Sequence, residues 1–369
     1  MKLAFIADTH FGYPKYEEDA RIQGTAAILD ACKKADVILL GGDIFDRRIP
    51  KLETLAYVAN LLRKADSLLP KSPYPKIYGI HGTHEMRPKG VLNPIAMMAE
   101  LGLMEDVHNK TLVLEKGTSV LQTEKVGISG LGGIPDDLVK DVLSRISCKP
   151  EEDATNFFLF HQTLHEFVPQ AKNLAKIEDL PKGYDYYLCG HLHAKKDFLS
   201  GKLLIPGSTV ITQHKDDEQS EKGYYLIDTM NENVEFVPIK TRPFSISEIK
   251  FENAKPADAR IMIEKEISSL MEKEWDDKPI LKIKLTGSLA KGSGELDLNG
   301  FENAKAFIII DNQLEGNSLI AELQKLKQER AMKSTPLELG MSLLRENAKN
   351  AGLDEKIAEK YFEQFAQAN

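Results

Sequence analysis

Short apolar runs alternate with longer amphipathic stretches in the first part of the chain. The runs KLAFIAD (2–8), DVILLGGD (36–43) and KIYGI (76–80) are typical of buried strands, and the patterns over residues 18–35 and 52–65 are typical of helices. Continuous apolar strands separated by helices predict a parallel or mixed sheet covered on both faces. The apolar stripe predicted for the first helix comprises Ile22, Ala26, Leu29 and Cys32.

Later apolar runs are shorter and more closely spaced, with fewer helical patterns between them. They read VGISGLGG (126–133), NFFLFHQ (156–162), YDYYLCGH (184–191), KLLIPGS (202–208) and KGYYLID (222–228). Each run is typical of a further strand. The pattern therefore predicts an α/β fold over residues 1–240, and it leaves the strand order open.

The pattern changes near residue 240. The polar, proline-containing segment 241–259 is expected to be a connection, followed by a helix over 256–274 and by the strands PILKIKLTG (279–287) and AFIII (306–310). We therefore predict a small α+β domain over residues 241–328.

The last residues, 329–369, have the pattern of two amphipathic helices. Thr335, Pro336 and Glu338 form a capping box with proline at the first helical position. A terminal helix pair either packs on its own domain or serves as a docking module whose apolar face a partner helix completes. The sequence leaves both alternatives open.

Composition is ordinary for a globular protein of 369 residues, with 42% hydrophobic and 28% charged residues. No signal peptide and no membrane span is apparent, and the three cysteines lack metal or redox spacing, so we expect a cytoplasmic protein with reduced thiols. The net charge of −8 weakly favours a small-molecule enzyme, because proteins that bind nucleic acid alone are usually basic. A phosphate-bearing substrate would need local positive charge.

Carboxylates and imidazoles follow several of the predicted strands, where an open α/β sheet places its ligands. These side chains are Asp8, His10, Asp43, His84, His161, His191 and His193. Their nitrogen and oxygen donors suit Mn, Fe, Zn or Co, and the lack of cysteine argues against a structural zinc cage. The remaining histidines His108, His165 and His214 are expected to be structural.

The order D-x-H, G-D, G-x-H-[DE], a lone H and G-H-x-H resembles the signature of calcineurin-like dinuclear metallophosphoesterases. Within that superfamily, DTHFGY, GGDIFDRR, HGTHE, FHQT, GHLH and IPGST are similar to the Mre-type (SbcD-like) DNA double-strand-break repair nucleases, the archaeal members in particular. The resemblance is strong over residues 1–240. It implies a metallophosphoesterase β-sandwich flanked by helices, then a capping domain.

The resemblance also implies roles and partners. Asp8, His10 and His193 would hold one metal ion, His161 and His191 the other, and Asp43 would bridge the two ions. Mn²⁺ is the expected metal, and a pair of divalent ions activates water and clamps a phosphodiester. The implied activities are 3′-to-5′ exonuclease and endonuclease cleavage of single- and double-stranded DNA. The implied partners are a Rad-type, SMC-like ABC ATPase at residues 329–369 and a second copy of the chain.

His84 would act as general acid or charge stabiliser beside the leaving oxygen, and it would not be a ligand. Glu85 either orients His84 through its second ring nitrogen or is an exposed turn carboxylate.

Thr83 departs from the family pattern, in which an Asn at this position ligates the second metal ion. Three outcomes are open: a water hydrogen-bonded to Thr83 fills the gap, the Thr83 hydroxyl ligates directly, or His81 substitutes. In each case Asp43, His161 and His191 remain, so we expect a working site with a weaker second ion.

Basic residues follow three of the metal loops and are expected to form a phosphate-binding rim. They are Arg47, Arg48 and Lys51, then Arg87 and Lys89, then Lys195 and Lys196. Such a local rim would reconcile a DNA substrate with negative net charge; the alternative is a set of ordinary solvated charges.

Two other functions are weighed against the DNA nuclease. A small-molecule phosphoesterase would keep its activity when truncated near residue 240. A catalytically silent scaffold, disarmed by Thr83, would bind one metal ion or none.

Overall fold

The structure is a computed structural model that describes residues 1–88, 90–119, 122–171, 174–290 and 296–314. These residues divide into two units. The first comprises residues 1–244 and 276–279, and the second comprises residues 245–275 together with the described residues from 280 onwards.

The first unit contains two six-stranded sheets. In the first sheet, the strands β1 (Lys2–Ile6), β2 (Val37–Leu40), β3 (Ile77–Gly79) and β4 (Glu105–Asp106) are parallel. Strand β11 (Gly223–Asp228) pairs antiparallel with β1, and β12 (Asn233–Pro238) pairs antiparallel with β11. The spatial order is β12-β11-β1-β2-β3-β4. The chain thus returns late in the first unit to pair with its first strand.

The second sheet has the order β5-β6-β7-β8-β10-β9. Its strands are β5 (Thr111–Ser119), β6 (Gln122–Leu131), β7 (Thr155–Phe160), β8 (Tyr186–Cys189), β9 (Lys196–Phe198) and β10 (Leu203–Ile205). Strands β6, β7, β8 and β10 run parallel, and β5 and β9 pair antiparallel at the two edges.

The two sheets pack face to face through their apolar side chains. Phe5 and Leu39 of the first sheet share a buried cluster with Ile128, Phe157 and Leu159 of the second. A second cluster lies between the first sheet and its helices, and a third lies on the other face of the second sheet. Both faces of each sheet are therefore covered, as continuous apolar strands require. The predicted fold class, an α/β sandwich flanked by helices, is confirmed.

Four helices belong to the first unit. They are α1 (Glu17–Lys34), α2 (Leu52–Leu68), α3 (Pro94–Glu100) and α4 (Val139–Ser144). Short 3-10 turns occur at Asp136–Leu138, Ile177–Asp179, Leu199–Gly201 and Asp216–Gln219.

The predicted apolar stripe of α1 was only partly right. Cys32 is buried and Leu29 packs partly buried on the same core, but Ile22 is 52% exposed and Ala26 is exposed. The buried face also carries Gly24, Ala27, Ile28 and Ala31. Its small residues let the helix approach closely: a Cβ atom at Gly24 would lie 2.8 Å from Cζ of Phe11.

The described residues of the second unit form one helix on a three-stranded sheet. The sheet order is β13-β14-β15, with β13 (Phe244–Ala254), β14 (Ile280–Leu289) and β15 (Phe307–Asn312), and the helix is α5 (Pro256–Met271). Segment 241–259, expected to be a connection, mostly forms β13. Its alternation of Ile249 and Phe251 with polar residues buries one face of that strand.

The predicted helices over 329–369 and the rim residue Lys89 lie outside the described residues. The three thiols are buried and form no disulfide. No helix among the described residues has the length and apolar character needed to cross a bilayer.

Candidate metal centre

Loops at the carboxyl ends of four strands bring carboxylates and imidazoles together. Asp8 and His10 follow β1, Asp43 follows β2, His161 follows β7, and His191 and His193 follow β8, so both sheets contribute. Three groups of such ligand atoms, each within 4.8 Å of one another, occur among the described residues. The groups are Asp8 with His10 and His193, Asp43 with His161 and His191, and His10 with Asp46 and His84.

The backbone of these loops is unusual. Asp8, His10, Asp43 and His191 all have positive φ angles, between 47° and 82°. Residues other than glycine rarely adopt this conformation, which costs free energy and clusters at functional sites. Backbone hydrogen bonds hold it, among them Asp8 N–H to Gly42 O at 3.0 Å and His10 N–H to Asp43 O at 3.0 Å.

His161 and Asp43 leave a place for a cation. Nδ1 of His161 lies 2.8 Å from the carbonyl oxygen of Gly41, so this nitrogen carries a proton and donates it. Nε2 then faces Oδ2 of Asp43 at 3.2 Å, and among the residues that the structure describes no donor pairs with this buried nitrogen. Two electron-pair donors in contact require positive charge between them, which a proton or a metal ion supplies. The donor set therefore fits a divalent metal.

The charges of the neighbouring residues also favour positive charge between His161 and Asp43. Burial lowers the pKa of His161, but the charges of Asp43 and Asp8 outweigh it and raise this pKa to about 9. Burial raises the pKa of the Asp8 carboxyl to about 6, against the opposing effect of His161. The buried carboxylates thus depend on cationic neighbours for their charge.

His10 and His193 make a similar arrangement on the other side. Their Nε2 atoms lie 3.2 Å apart. Nδ1 of His10 lies 3.1 Å from Oδ1 of Asp46, and Nδ1 of His193 contacts the hydroxyl of Thr212. These contacts direct both Nε2 lone pairs towards one point near Asp8, as hydrogen-bond partners of the other ring nitrogen commonly do for ligating histidines.

Asp46 and Thr212 were missed by the sequence analysis. Asp46 lies in the motif GGDIFDRR, three residues after Asp43, and that spacing was the available signal. Thr212 lies in an irregular segment with no motif around it.

His84 lies at the edge of this cluster, with its side chain 46% exposed. Its backbone N–H donates to Oδ1 of Asp43 at 2.8 Å, and its Nδ1 lies 2.8 Å from the carbonyl oxygen of Asp46. The ring packs edge-on against His10, with centroids 5.0 Å apart. Nδ1–H is thus held by a carbonyl oxygen, which leaves Nε2 available for proton transfer.

Both expectations for Glu85 were wrong. Glu85 is fully buried, and its carboxylate accepts hydrogen bonds from the backbone N–H groups of Phe45 at 2.7 Å and Gly82 at 2.8 Å. It therefore ties the loop after β3 to the loop after β2 and does not orient the His84 ring. Position 82 in this loop requires glycine, because a Cβ atom there would lie 2.1 Å from Oδ1 of Asp43.

Thr83 lies next to the second group. Its hydroxyl is 3.4 Å from Oδ2 of Asp43, the oxygen that also faces His161. His81 packs its ring against His108, with centroids 4.8 Å apart, and no close group of His, Cys, Asp or Glu ligand atoms within the described ranges includes it.

The three histidines expected to be structural have structural partners. Nδ1 of His108 accepts from the N–H of Gly132 at 2.9 Å, and Nδ1 of His165 lies 3.3 Å from Ala171 O. Nε2 of His214 lies 3.1 Å from the hydroxyl of Tyr16.

The basic residues of the expected rim differ in exposure. Arg47 and Arg48 are exposed, and Arg87 reaches the carbonyl oxygen of Arg48 at 3.3 Å. Lys51 pairs with Glu17 at 3.1 Å. Lys196 is half-buried, and Nζ of Lys195 lies 4.1 Å from the ring centroid of Phe236.

The chain is similar in sequence to known proteins. A sequence model of the calcineurin-like phosphoesterase family matches residues 1–195, a segment that contains all six proposed metal-ligand positions. The matched segment is more than half of the chain.

Similar proteins include several named DNA double-strand break repair protein Mre11. The one from Sulfolobus acidocaldarius is 27% identical over 78% of this chain and 76% of its own length. The one from Methanococcus maripaludis is 25% identical over 89% of this chain and 90% of its own length. A solved structure from Streptococcus pneumoniae, described as a predicted phosphoesterase, matches with a TM-score of 0.27 and 13% identity, over 62% of this chain and 83% of that chain.

Proposed function

Because the chain belongs to the calcineurin-like phosphoesterase family, we propose that it is a Mn²⁺-dependent DNA nuclease of double-strand break repair. The family makes the chain a metal-dependent phosphoesterase. Its similarity along most of its length to proteins named for break repair supports DNA as the substrate. The proposed activities are 3′-to-5′ exonuclease and endonuclease cleavage.

One observation carries the proposal: Nε2 of His161 and Oδ2 of Asp43 face each other at 3.2 Å, and they need positive charge between them, which a bound metal ion would supply. Asp8, His10 and His193 would hold one ion, His161 and His191 a second, and Asp43 would serve both. When bound, two divalent ions supply the positive charge that a phosphodiester and an attacking water need near neutral pH.

The other residues position and protonate the substrate. His84 holds one proton at Nδ1 against the carbonyl oxygen of Asp46. As an imidazolium it would carry a second proton at Nε2, which it would give to the leaving oxygen or use to stabilise that oxygen's charge. Its backbone N–H donates to Asp43, so the loop that carries the acid is fixed to a proposed ligand. The exposed Arg47 and Arg48 and the half-buried Arg87 would contact phosphates.

The proposal extends to organisation and partners. Residues 1–240 would be the nuclease domain, 241–328 a capping domain that contacts DNA, and 329–369 the segment that binds a Rad-type ABC ATPase. A homodimer would present two such nuclease sites to DNA ends.

The test compares substrates under one metal titration. Labelled single- and double-stranded DNA, a small phosphodiester and a phosphomonoester are incubated with the full chain and increasing Mn²⁺. We expect Mn²⁺-dependent DNA cleavage that is lost in His84→Ala and kept in His165→Ala. Hydrolysis of the phosphomonoester without DNA cleavage would overturn the proposal in favour of a small-molecule phosphoesterase. Absence of all hydrolysis with one bound ion or none would indicate a scaffold.

A further inference from the structure

Glu218 and Lys222 form a buried ion pair beside the loop that carries His193. Each residue is only 2% exposed, and Nζ of Lys222 lies 3.4 Å from Oε1 of Glu218. Burying two charges is costly unless good hydrogen bonds surround them, and an apolar pair of similar volume would often make the protein at least as stable. Stability alone therefore does not explain this ion pair, and its hydrogen-bond partners show what the charges do.

The carboxylate of Glu218 holds the turn that touches the ring of His193. It accepts hydrogen bonds from three successive backbone N–H groups, those of Thr212 at 3.1 Å, Gln213 at 2.6 Å and His214 at 2.7 Å. The Thr212 hydroxyl lies 3.5 Å from Oε1 of Glu218, so it donates to the carboxylate and accepts from Nδ1 of His193. This direction places the proton of His193 on Nδ1 and the lone pair on Nε2.

The ammonium group of Lys222 holds the backbone of the same histidine. Nζ donates to the carbonyl oxygen of His193 at 2.7 Å and to Oγ of Ser208 at 3.1 Å. The N–H of Ser208 donates to the same carbonyl oxygen at 3.1 Å. The motif IPGST, which contains Ser208, thus takes part in fixing His193.

We propose that Glu218 and Lys222 are positioning residues for the metal ion held by Asp8, His10 and His193. Together they fix one ligand at both ends, its ring through Thr212 and its main chain through the carbonyl oxygen. The inference rests on the proposed metal centre. It assigns the pair to one of the two ions, because these contacts end on His193 and not on His161 or Asp43.

Metal binding tests the inference separately from activity. Mn²⁺ binding to the full chain is measured by calorimetry, and electron paramagnetic resonance distinguishes a coupled pair of ions from a single ion. Thr212→Val removes only the hydroxyl that joins Glu218 to His193. Thr212→Ser restores that hydroxyl, and Thr286→Val is the matched control, since its hydroxyl donates to Glu248 in the second unit at 2.8 Å.

We expect two ions in the unaltered chain, in Thr212→Ser and in Thr286→Val. In Thr212→Val one ion should bind about 10- to 100-fold more weakly, as when other partners that orient a ligating histidine are removed, and the coupled signal should give way to that of a single ion. The double variant Glu218→Gln/Lys222→Met, which leaves no unpaired charge, should do the same. The retained ion reports that each variant is folded.

Unchanged affinity for both ions in Thr212→Val would overturn the inference while leaving the metal centre intact. Equal weakening of both ions would also overturn it, because the effect would then be on the fold as a whole. Failure of the unaltered chain to bind Mn²⁺ would overturn the metal centre itself, and the inference with it.

Discussion

Nδ1 of His84 lies 2.8 Å from the main-chain carbonyl oxygen of Asp46 and 3.8 Å from its carboxylate. The carboxylate instead lies 3.1 Å from Nδ1 of His10. One residue thus serves two histidines with different groups: its main chain holds the proposed general acid, and its side chain holds a proposed metal ligand. A change of the Asp46 side chain should therefore separate metal binding from proton transfer.

Asp46→Ala should weaken the binding of one Mn²⁺ ion about 10- to 100-fold, because His10 loses the partner that orients its ring. At saturating Mn²⁺ the cleavage rate should recover to within about threefold of the unaltered chain, because the carbonyl oxygen that holds His84 remains. Calorimetry and a Mn²⁺ titration of DNA cleavage measure both quantities. A large rate loss at saturating metal, with unaltered affinity, would show that the carboxylate acts on His84 instead.

His84→Ala should reduce DNA cleavage about 10²- to 10⁴-fold at saturating Mn²⁺, the range expected for the loss of a general acid. Binding of both ions should be unchanged, because neither proposed ion depends on this partly exposed ring. His165→Ala is the control, since Nδ1 of His165 lies 3.3 Å from the carbonyl oxygen of Ala171, a local contact away from the proposed ions. If His84→Ala instead removed a metal ion, His84 would be a ligand.

The strand-end residues could be placed by sequence because each follows an apolar run directly. In a sheet of parallel strands those positions meet at one edge, which brings Asp8 and Asp43 together at the ends of the neighbouring strands β1 and β2. His161 follows β7 of the other sheet, so its place beside them depends on how the two sheets pack. Asp46 could not be assigned a role in this way, since which of its two acceptors faces which histidine depends on the loop conformation. Glu218 and Lys222 lie far along the chain from His193 and have no motif of their own.

The fold was predicted correctly where burial alone determines the pattern of apolar residues along the chain. Continuous apolar strands such as Val37–Leu40 were identified, whereas the buried face of α1 was identified only in part, at Leu29 and Cys32. The rest of that face depends on how closely Gly24 and Ala27 approach their neighbours, which residue hydrophobicity does not encode. Glu85 was misjudged for a related reason: a glutamate next to a histidine in a loop carries no signal that backbone N–H groups will surround it.

Thr83→Asn should strengthen the binding of the second Mn²⁺ ion about tenfold, the lower end of the change in affinity seen when groups that support a metal ligand are altered. The amide oxygen reaches one atom further than the threonine hydroxyl, which lies 3.4 Å from Oδ2 of Asp43. Calorimetry of the variant beside the unaltered chain measures the change.

Thr83→Val keeps the shape and removes the hydroxyl, so it shows whether that hydroxyl contributes at all. If the unaltered chain, Thr83→Asn and Thr83→Val bound the second Mn²⁺ ion with the same affinity, position 83 would not be part of the metal site.

Gly24→Ala should destabilise the chain by about 1–3 kcal/mol, the usual cost of an extra methyl group in a packed core. Helix propensity alone favours the opposite sign, since alanine stabilises a helix interior by about 1 kcal/mol relative to glycine. Packing should prevail here, because the new Cβ atom would lie 2.8 Å from Cζ of Phe11 and 3.3 Å from Cβ of Thr9, both buried. Phe11 and Thr9 flank His10, so Mn²⁺ affinity should fall with stability.

Denaturant unfolding measures the free energy of unfolding of Gly24→Ala, and Ala26→Gly at an exposed position of the same helix measures the effect of helix propensity alone. A gain of stability in Gly24→Ala would mean that the ring of Phe11 moves aside freely, and the close approach of α1 would then not position the metal loop.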